Sequence, residues 1–282
     1  MTRALFIGRS VLDIVSLVRE FPGADGKAKA VINDLMPGGS SLNASIVFSH
    51  LGGEATLATS IGSPNLISNF VETDIRKYSV NLEDVCEDVD YKIPLSTVIS
   101  SSDLGTRMII NGFQDDCKNL KDMTSIFAND YKLIQLDQYE RPFVEMNYDN
   151  IRAFEGQVIL DGGSWKNWSL DFLHLADIPI VSETFLKDGS KAFAEMCDNF
   201  GISRWAITCG SNGVIWKDNE KTGQLPAISI NAVDTLGAGD IFHGAFCYAF
   251  AKTYKFVEAL SFANEVAAKS CESFGTRSWM DV

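Results

Sequence analysis

Short apolar runs that end in small or polar residues recur through the second half of this 282-residue chain. Residues 131–137, 157–161, 178–182 and 205–209 are such runs, closed by LDQYE, LDGGS, VSETF and TCGSNG and separated by stretches of helical spacing. Strands that are apolar throughout are covered on both faces, so this rhythm predicts a mainly parallel sheet flanked by helices. Their polar ends then form a row along one sheet edge, where open α/β sheets take ligands. Residues 4–8 begin the pattern at the N-terminus and stop at Gly8, residues 55–62 supply another strand, and the spacing predicts a helix over 69–78. The texture differs in two places. Alternation returns around Asp13, and residues 85–112 are rich in Thr and Ile with a turn at 101–105, the signature of a hairpin. These segments predict a small separate sheet beside one large α/β domain.

Charge and cysteine usage narrow the function. The formal net charge is −13, from 24 Lys plus Arg against 37 Asp plus Glu, and a surface of that sign repels a nucleic-acid backbone. A local nest of amides can still hold nucleotide phosphates. No apolar run is long enough to span a bilayer, and the opening MTRALFIGRSVLD has neither secretory nor transit character, so a cytoplasmic protein without a membrane role is expected. Six scattered cysteines (Cys86, Cys117, Cys197, Cys209, Cys247, Cys271) form no C-x-x-C pair and do not cluster with the three histidines. They are expected to be reduced core residues.

The densest chemistry lies in residues 234–246, DTLGAGDIFHGAF. A turn with two glycines runs into an apolar helix, so free backbone amides point outward from the helix start and invite an anion. Asp240 sits beside the amides of Gly237, Ala238 and Gly239, where a carboxylate either caps its own helix or accepts a proton from an attacking hydroxyl. Asp13 is either a turn charge or an acid aimed into the ligand crevice. Gly38 and Gly39 lead into a helix over 40–51, where Asn43 on the first turn offers a donor and an acceptor to a sugar hydroxyl. Trp165 with Trp168 reads as local packing, with Trp165 and Phe113 the aromatics to watch for a base-stacking surface.

GGSSLN at 38–43, TCGSNG at 208–213 and DTLGAGDIFHGAF together resemble the ribokinase-like (PfkB) family of carbohydrate kinases over the whole chain. With GTRMIIN at 105–111 and ALSFANEVAAKSC at 259–271, the pattern is nearest to the ketohexokinase branch. The resemblance implies a single kinase domain over 1–282 with a three-layer α/β fold, a mainly parallel central sheet and a small β-sheet lid from about 12–36 and 86–112, which often pairs with that of a second subunit to make a dimer. It implies ATP and Mg2+ as co-substrate and metal, and a small sugar, most readily a ketose, as acceptor. Carried over by position, Asp240 is the catalytic base and Gly237, Ala238 and Gly239 the anion hole. Asp13, Gly39, Asn43 and Arg107 contact the sugar or its phosphates, while Gly210, Gly213 and Asn264 border the nucleotide. The family's N-x-x-E metal motif is replaced by Ser182-Glu183-Thr184-Phe185, leaving Glu183 as the candidate metal residue, and Ser40 stands where ketohexokinase has a sugar-contacting Asn. A kinase of another small molecule (a sugar acid, sugar adduct or nucleoside) and a sugar-binding regulator without turnover are the alternatives.

Overall fold

The computed structural model of the protein describes residues 2–104, 106–112 and 115–281; Gly105 of the expected turn and Phe113 lie outside them. The chain opens with β1 (Arg3–Ile7), β2 (Val11–Val18), β3 (Ile32–Gly38), α1 (Ser40–His50), β4 (Glu54–Thr59), α2 (Leu66–Lys77) and β5 (Asn81–Asp84). It continues through β6 (Leu95–Ser101), β7 (Thr106–Asn111), β8 (Leu133–Leu136), α3 (Arg141–Met146), α4 (Tyr148–Arg152), β9 (Gln157–Gly162), α5 (Ser169–Leu175) and β10 (Ile178–Ser182). It ends with α6 (Gly189–Asn199), β11 (Arg204–Thr208), β12 (Val214–Asp218), β13 (Lys221–Leu225), α7 (Ala238–Thr253) and α8 (Phe256–Ser270).

Nine strands form the main sheet in the order β13-β12-β11-β10-β9-β8-β1-β4-β5, parallel from β11 through β5 and closed at one edge by the antiparallel β12–β13 hairpin. The expected apolar strands are the central ones. Their residues alternate between two cores: Ala4 and Phe6 of β1 join a cluster with α1, α2, α7 and α8, while Leu5 and Ile7 join one with α3, α4, α5 and α6. Burial on both faces is why these strands carry no polar alternation. β1 lies between β8 and β4, so the chain runs to one side early and returns on the other, which opens a crevice at the strand ends.

The second sheet has the order β3-β2-β6-β7, with β2 parallel to β6 and the outer pairs antiparallel. Asp13 aligns with Met36 and Ser96, and Ser96 with Asn111, so these share one face with Arg107 two rungs away. Ile14, Leu35, Thr97 and Ile110 align on the opposite face.

Two expectations need correction. The helix expected over 69–78 begins three residues earlier, at Leu66, because Asn65 caps it: its Oδ1 accepts from the Ile67 and Ser68 amides while Ser68 Oγ accepts from the Asn65 amide. The cysteines are not all reduced. Cys86, just after β5, is bonded to Cys117, beyond β7, with a Cα–Cα distance of 6.3 Å. A bridge between Cys86 and Leu120 lays the two segments side by side, a tertiary contact that cysteine spacing does not encode. Cys197, Cys209, Cys247 and Cys271 are free and buried. Thiol titration in denaturant is therefore expected to count four groups without reductant and all six after reduction; six in both conditions would rule the crosslink out.

Candidate active site

Two helices aim their N-termini at the crevice beside β1. α1 starts at Gly39, whose φ of 110° is costly for any residue with a Cβ, and a side chain there would also strike the Arg9 carbonyl. At Gly38 a side chain would strike the Asp13 carboxylate, so the glycine pair lets the small sheet lie against the helix start. α7 starts at Gly237, with φ 70°, and a Cβ there would press on Thr276. A Cβ at Gly239 would meet nothing within 4 Å, so the first turn of α7 faces open space. α1 and α7 cross closely because a side chain at Gly244 would run into the Ala44 carbonyl. That crossing brings Asn43 to Asp240: Asn43 Nδ2 donates to Asp240 Oδ2 at 2.6 Å.

Two acids from α7 and β2 meet here, and a third is bonded to the first turn of α1. Asp240 has its pKa raised by burial, opposed by hydrogen bonds from Asn43 and Ser40 and by the charges of His243 and Arg277. Asp13, reaching across from β2, is pushed up to about 6 by burial and then by the Asp240 charge, against the Ser96 hydroxyl and Arg277. Since the two carboxylates feel each other, they line one cleft. Asp137, at the end of β8, is fully buried and pushed up to about 7, chiefly by desolvation, while the Tyr139 and Ser41 amides donate to it. A side chain at Gly8 would fill its place.

Arg107, on β7, is exposed and donates to Thr235 Oγ1 at 2.6 Å, which brings the small sheet onto the turn that starts α7. Asp234 closes that turn from within, accepting from the Leu236 and Gly275 amides at 3.0 Å each. At the other end of the main sheet, Gly210 (φ 51°) opens a tight turn between β11 and β12, and a Cβ on it would meet nothing. Gly213 packs its backbone against residues 225–227, and Asn264 on α8 donates to the Pro226 carbonyl in the same loop. Gly210, Gly213 and Asn264 thus gather around one loop beside the β11 and β12 ends. Glu183, exposed after β10, lies beside the Cys209 thiol. Among the described residues no three His, Cys, Asp or Glu side chains converge on a cation site.

Arg277, in the C-terminal tail, was not visible as a site residue in the sequence. Its Nη1 donates to Asn43 Oδ1 at 2.8 Å and its Nη2 to the Pro37 carbonyl at 3.1 Å, with Asp74 of α2 3.4 Å away. Held on its oxygen by Arg277, Asn43 can turn only its amide nitrogen toward Asp240. Ser40 also lies near enough to Asp240 to lower its pKa. Trp165 packs against Phe185 with ring centroids 5.0 Å apart, which is a core contact.

Residues 170–281 match the family model described as pfkB family carbohydrate kinase. That match covers the C-terminal part of the chain, from α5 to the tail. Over 294 residues it is 22% identical to a ribokinase of Lactococcus lactis, covering 99% of this chain and 94% of that one. It is 24% identical to the ketohexokinase of Mus musculus over 294 residues, or 95% of each. The ribokinase crystal structure from Thermotoga maritima superposes with a TM-score of 0.77 at 22% identity, covering 99% of this chain and 96% of that one, which establishes the fold. The PfkB match spans the GAGD turn, Asn264 and Arg277, but not Asp13 or Asn43, which enter the cleft from outside the matched residues.

A carboxylate with a raised pKa binds its proton more tightly folded than unfolded, so charging Asp13 above about pH 6 costs stability that neither form bears at low pH. Asp13→Asn is expected to melt above the parent at pH 8, with the gap closing below pH 4. An unchanged difference across that range would show that Asp13 is not strained by burial and Asp240.

Proposed function

We propose that the protein transfers the γ-phosphoryl group of ATP to a hydroxyl of a small sugar, a ketose in the first instance. The observation that carries this reading is the meeting of Asp13, Asn43 and Asp240 beside the open amide turn of Gly237, Ala238 and Gly239. Phosphoryl transfer needs little from the protein beyond positioning and charge stabilisation. Asp13 and Asn43 hold the sugar, with the Gly39 backbone beneath it. Asp240 takes the proton of the attacking hydroxyl as its oxygen bonds to the γ-phosphorus and ADP departs. The amides of the turn and Arg107 face the charge that develops on the phosphoryl oxygens.

The small sheet serves as a lid over this cleft, and Gly210, Gly213 and Asn264 border the nucleotide. Bound with ATP, Mg2+ supplies further neutralisation of the phosphoryl oxygens. Glu183, a single exposed carboxylate, fits a contact to that metal through water. The ketose preference leans on the match to mouse ketohexokinase. The reading also places the protein in the cytoplasm as a dimer. The lid face away from Asp13 exposes Ile14, Leu35, Met108 and Ile110, each at least 40% accessible, which suits burial against a second copy.

Coupled measurement of ADP release across ketoses, aldoses, sugar acids and nucleosides tests the activity: turnover is expected with a ketose, and binding without turnover of any of them would favour a regulator. Asp240→Asn is expected to lower kcat by roughly 10²–10⁴ with nucleotide affinity little changed. Ile110→Lys is expected to convert the dimer to a monomer in sedimentation velocity; a parent that already sediments as a monomer would remove the lid-to-lid pairing.

A further inference from the structure

His243 is one turn beyond Gly239 on α7, with its ring reaching the β10 backbone. Its side chain is only 5% exposed. Nδ1 lies 2.8 Å from the Gly239 carbonyl oxygen and Nε2 lies 3.1 Å from the Ile180 carbonyl oxygen of β10. Both partners are acceptors. A neutral imidazole has one N–H and would set the lone pair of its other nitrogen against a carbonyl oxygen, whereas the doubly protonated ring donates to both. A buried cation needs a counter-ion. Asp161, at the end of β9 and 8% exposed, places Oδ2 3.5 Å from Nδ1.

We propose that His243 is held as an imidazolium, donating to the Gly239 and Ile180 carbonyls with Asp161 as counter-ion, and that this buried cation positions the first turn of α7 and favours the ionised form of Asp240. It is a positioning residue, acting through Gly239 and through the charge it sets beneath Asp240. The groups around the ring agree in sign. Asp161 is pushed up to about 6 by burial, which the His243 charge opposes and the Asp240 charge reinforces. His243 likewise lowers the pKa of Asp240 against its desolvation. Asp137, just after β8, is pushed up by burial and further by the Asp161 charge, and the Cys247 thiol, one turn further along α7, is pushed up by burial and by Asp161. One cation among these acids lets the anion hole and the general base share a helix turn without the acids repelling each other into protonation.

The inference rests on Asp240 as the proton acceptor, so the test reads the ring and the reaction separately. Long-range 1H–15N correlation spectra of the whole protein, with His243→Asn used to assign the signal among the three histidines, are expected to show both His243 nitrogens protonated at pH 7.5. An unprotonated nitrogen would overturn the proposal whatever the activity. In kinetics, His243→Asn keeps one donor and loses the charge. It is expected to move the acidic limb of the kcat/KM profile to higher pH by about one unit, a tenfold loss on that side, with KM for ATP within about threefold of the parent. Asp161→Asn, which removes the counter-ion as well as a negative charge near Asp240, is expected to move the limb less than His243→Asn does. A loss of melting temperature in both variants with the limb unmoved would reduce His243 to a core hydrogen bond and overturn the electrostatic role. If His243→Asn does not fold, the ring spectrum, assigned instead by its perturbation in Asp161→Asn, decides alone. A protonated ring in a protein that turns over no acceptor would leave the imidazolium standing and refute the kinase reading instead.

Discussion

The hydrogen bond from Asn43 to Asp240, 2.6 Å long between residues 197 positions apart, is the contact on which the cleft depends. It exists only if α1 and α7 approach more closely than ordinary side chains permit. Gly244 allows this by bringing α7 against the Ala44 carbonyl, and Ala245, Phe246 and Phe250 then seal the layer below. Asn43 donates to one oxygen of Asp240; on the proposed reading the other accepts from the acceptor hydroxyl. Arg277 and Asp74 complete the arrangement by fixing the amide from behind, so that a turn of the tail, two helices and a strand end all bear on one side-chain rotamer.

Electrostatically the crevice works against the fold. Asp13 of β2, Asp137 just after β8, Asp161 of β9 and Asp240 of α7 come from four parts of the chain, and burial raises the pKa of each. Desolvated carboxylates destabilise the chain at neutral pH, and the two aromatic-rich cores on either side of the sheet must offset that cost. The same desolvation makes Asp240 a better proton acceptor than a solvated aspartate, since basicity rises with pKa. The overall charge of −13 is therefore a poor guide to the site. What matters there is a few fixed cations, Arg107 at the turn and Arg277 behind Asn43, set among acids.

Much of the fold was legible because its strands are buried on both faces and their apolar runs have no other use. Residues 178–182 match β10 at both ends, and the hairpin texture after residue 85 corresponds to β6 and β7. β5 escaped notice because its four residues, NLED, end in two acids, and residues 85–94 of the expected hairpin are a connection whose path is set by the Cys86–Cys117 bond. In the site, Asp240, Asn43 and Asp13 could be picked out because glycine turns and strand ends mark them locally. Arg277 carries no such mark: its partners Pro37, Asn43 and Asp74 are more than 200 residues away, and nothing in SFGTRSW indicates which of its residues turns inward. Asp161 and His243 were in view as letters of LDGGS and FHGAF, but their pairing depends on β9 and β10 being neighbours, which is a fact of strand order.

On the proposed reading, strand order also divides the site into two parts. The matched segment, residues 170–281, holds the amide turn of Gly237, Ala238 and Gly239 and the loop around Gly213 and Asn264, whereas Asp13 and Asn43 come from the first 45 residues. Phosphoryl groups present the same oxygens whichever acceptor is used, so the residues that meet them can be shared widely. An acceptor hydroxyl differs from sugar to sugar, and discrimination requires side chains that can change without disturbing the turn. Placing those side chains on β2 and on the start of α1 separates the two demands. Ser40 illustrates the consequence: where the ketohexokinase pattern has Asn, this chain has a shorter side chain near Asp240. On the proposed reading, the departure therefore falls on the sugar side and leaves the amide turn of Gly237, Ala238 and Gly239 unchanged.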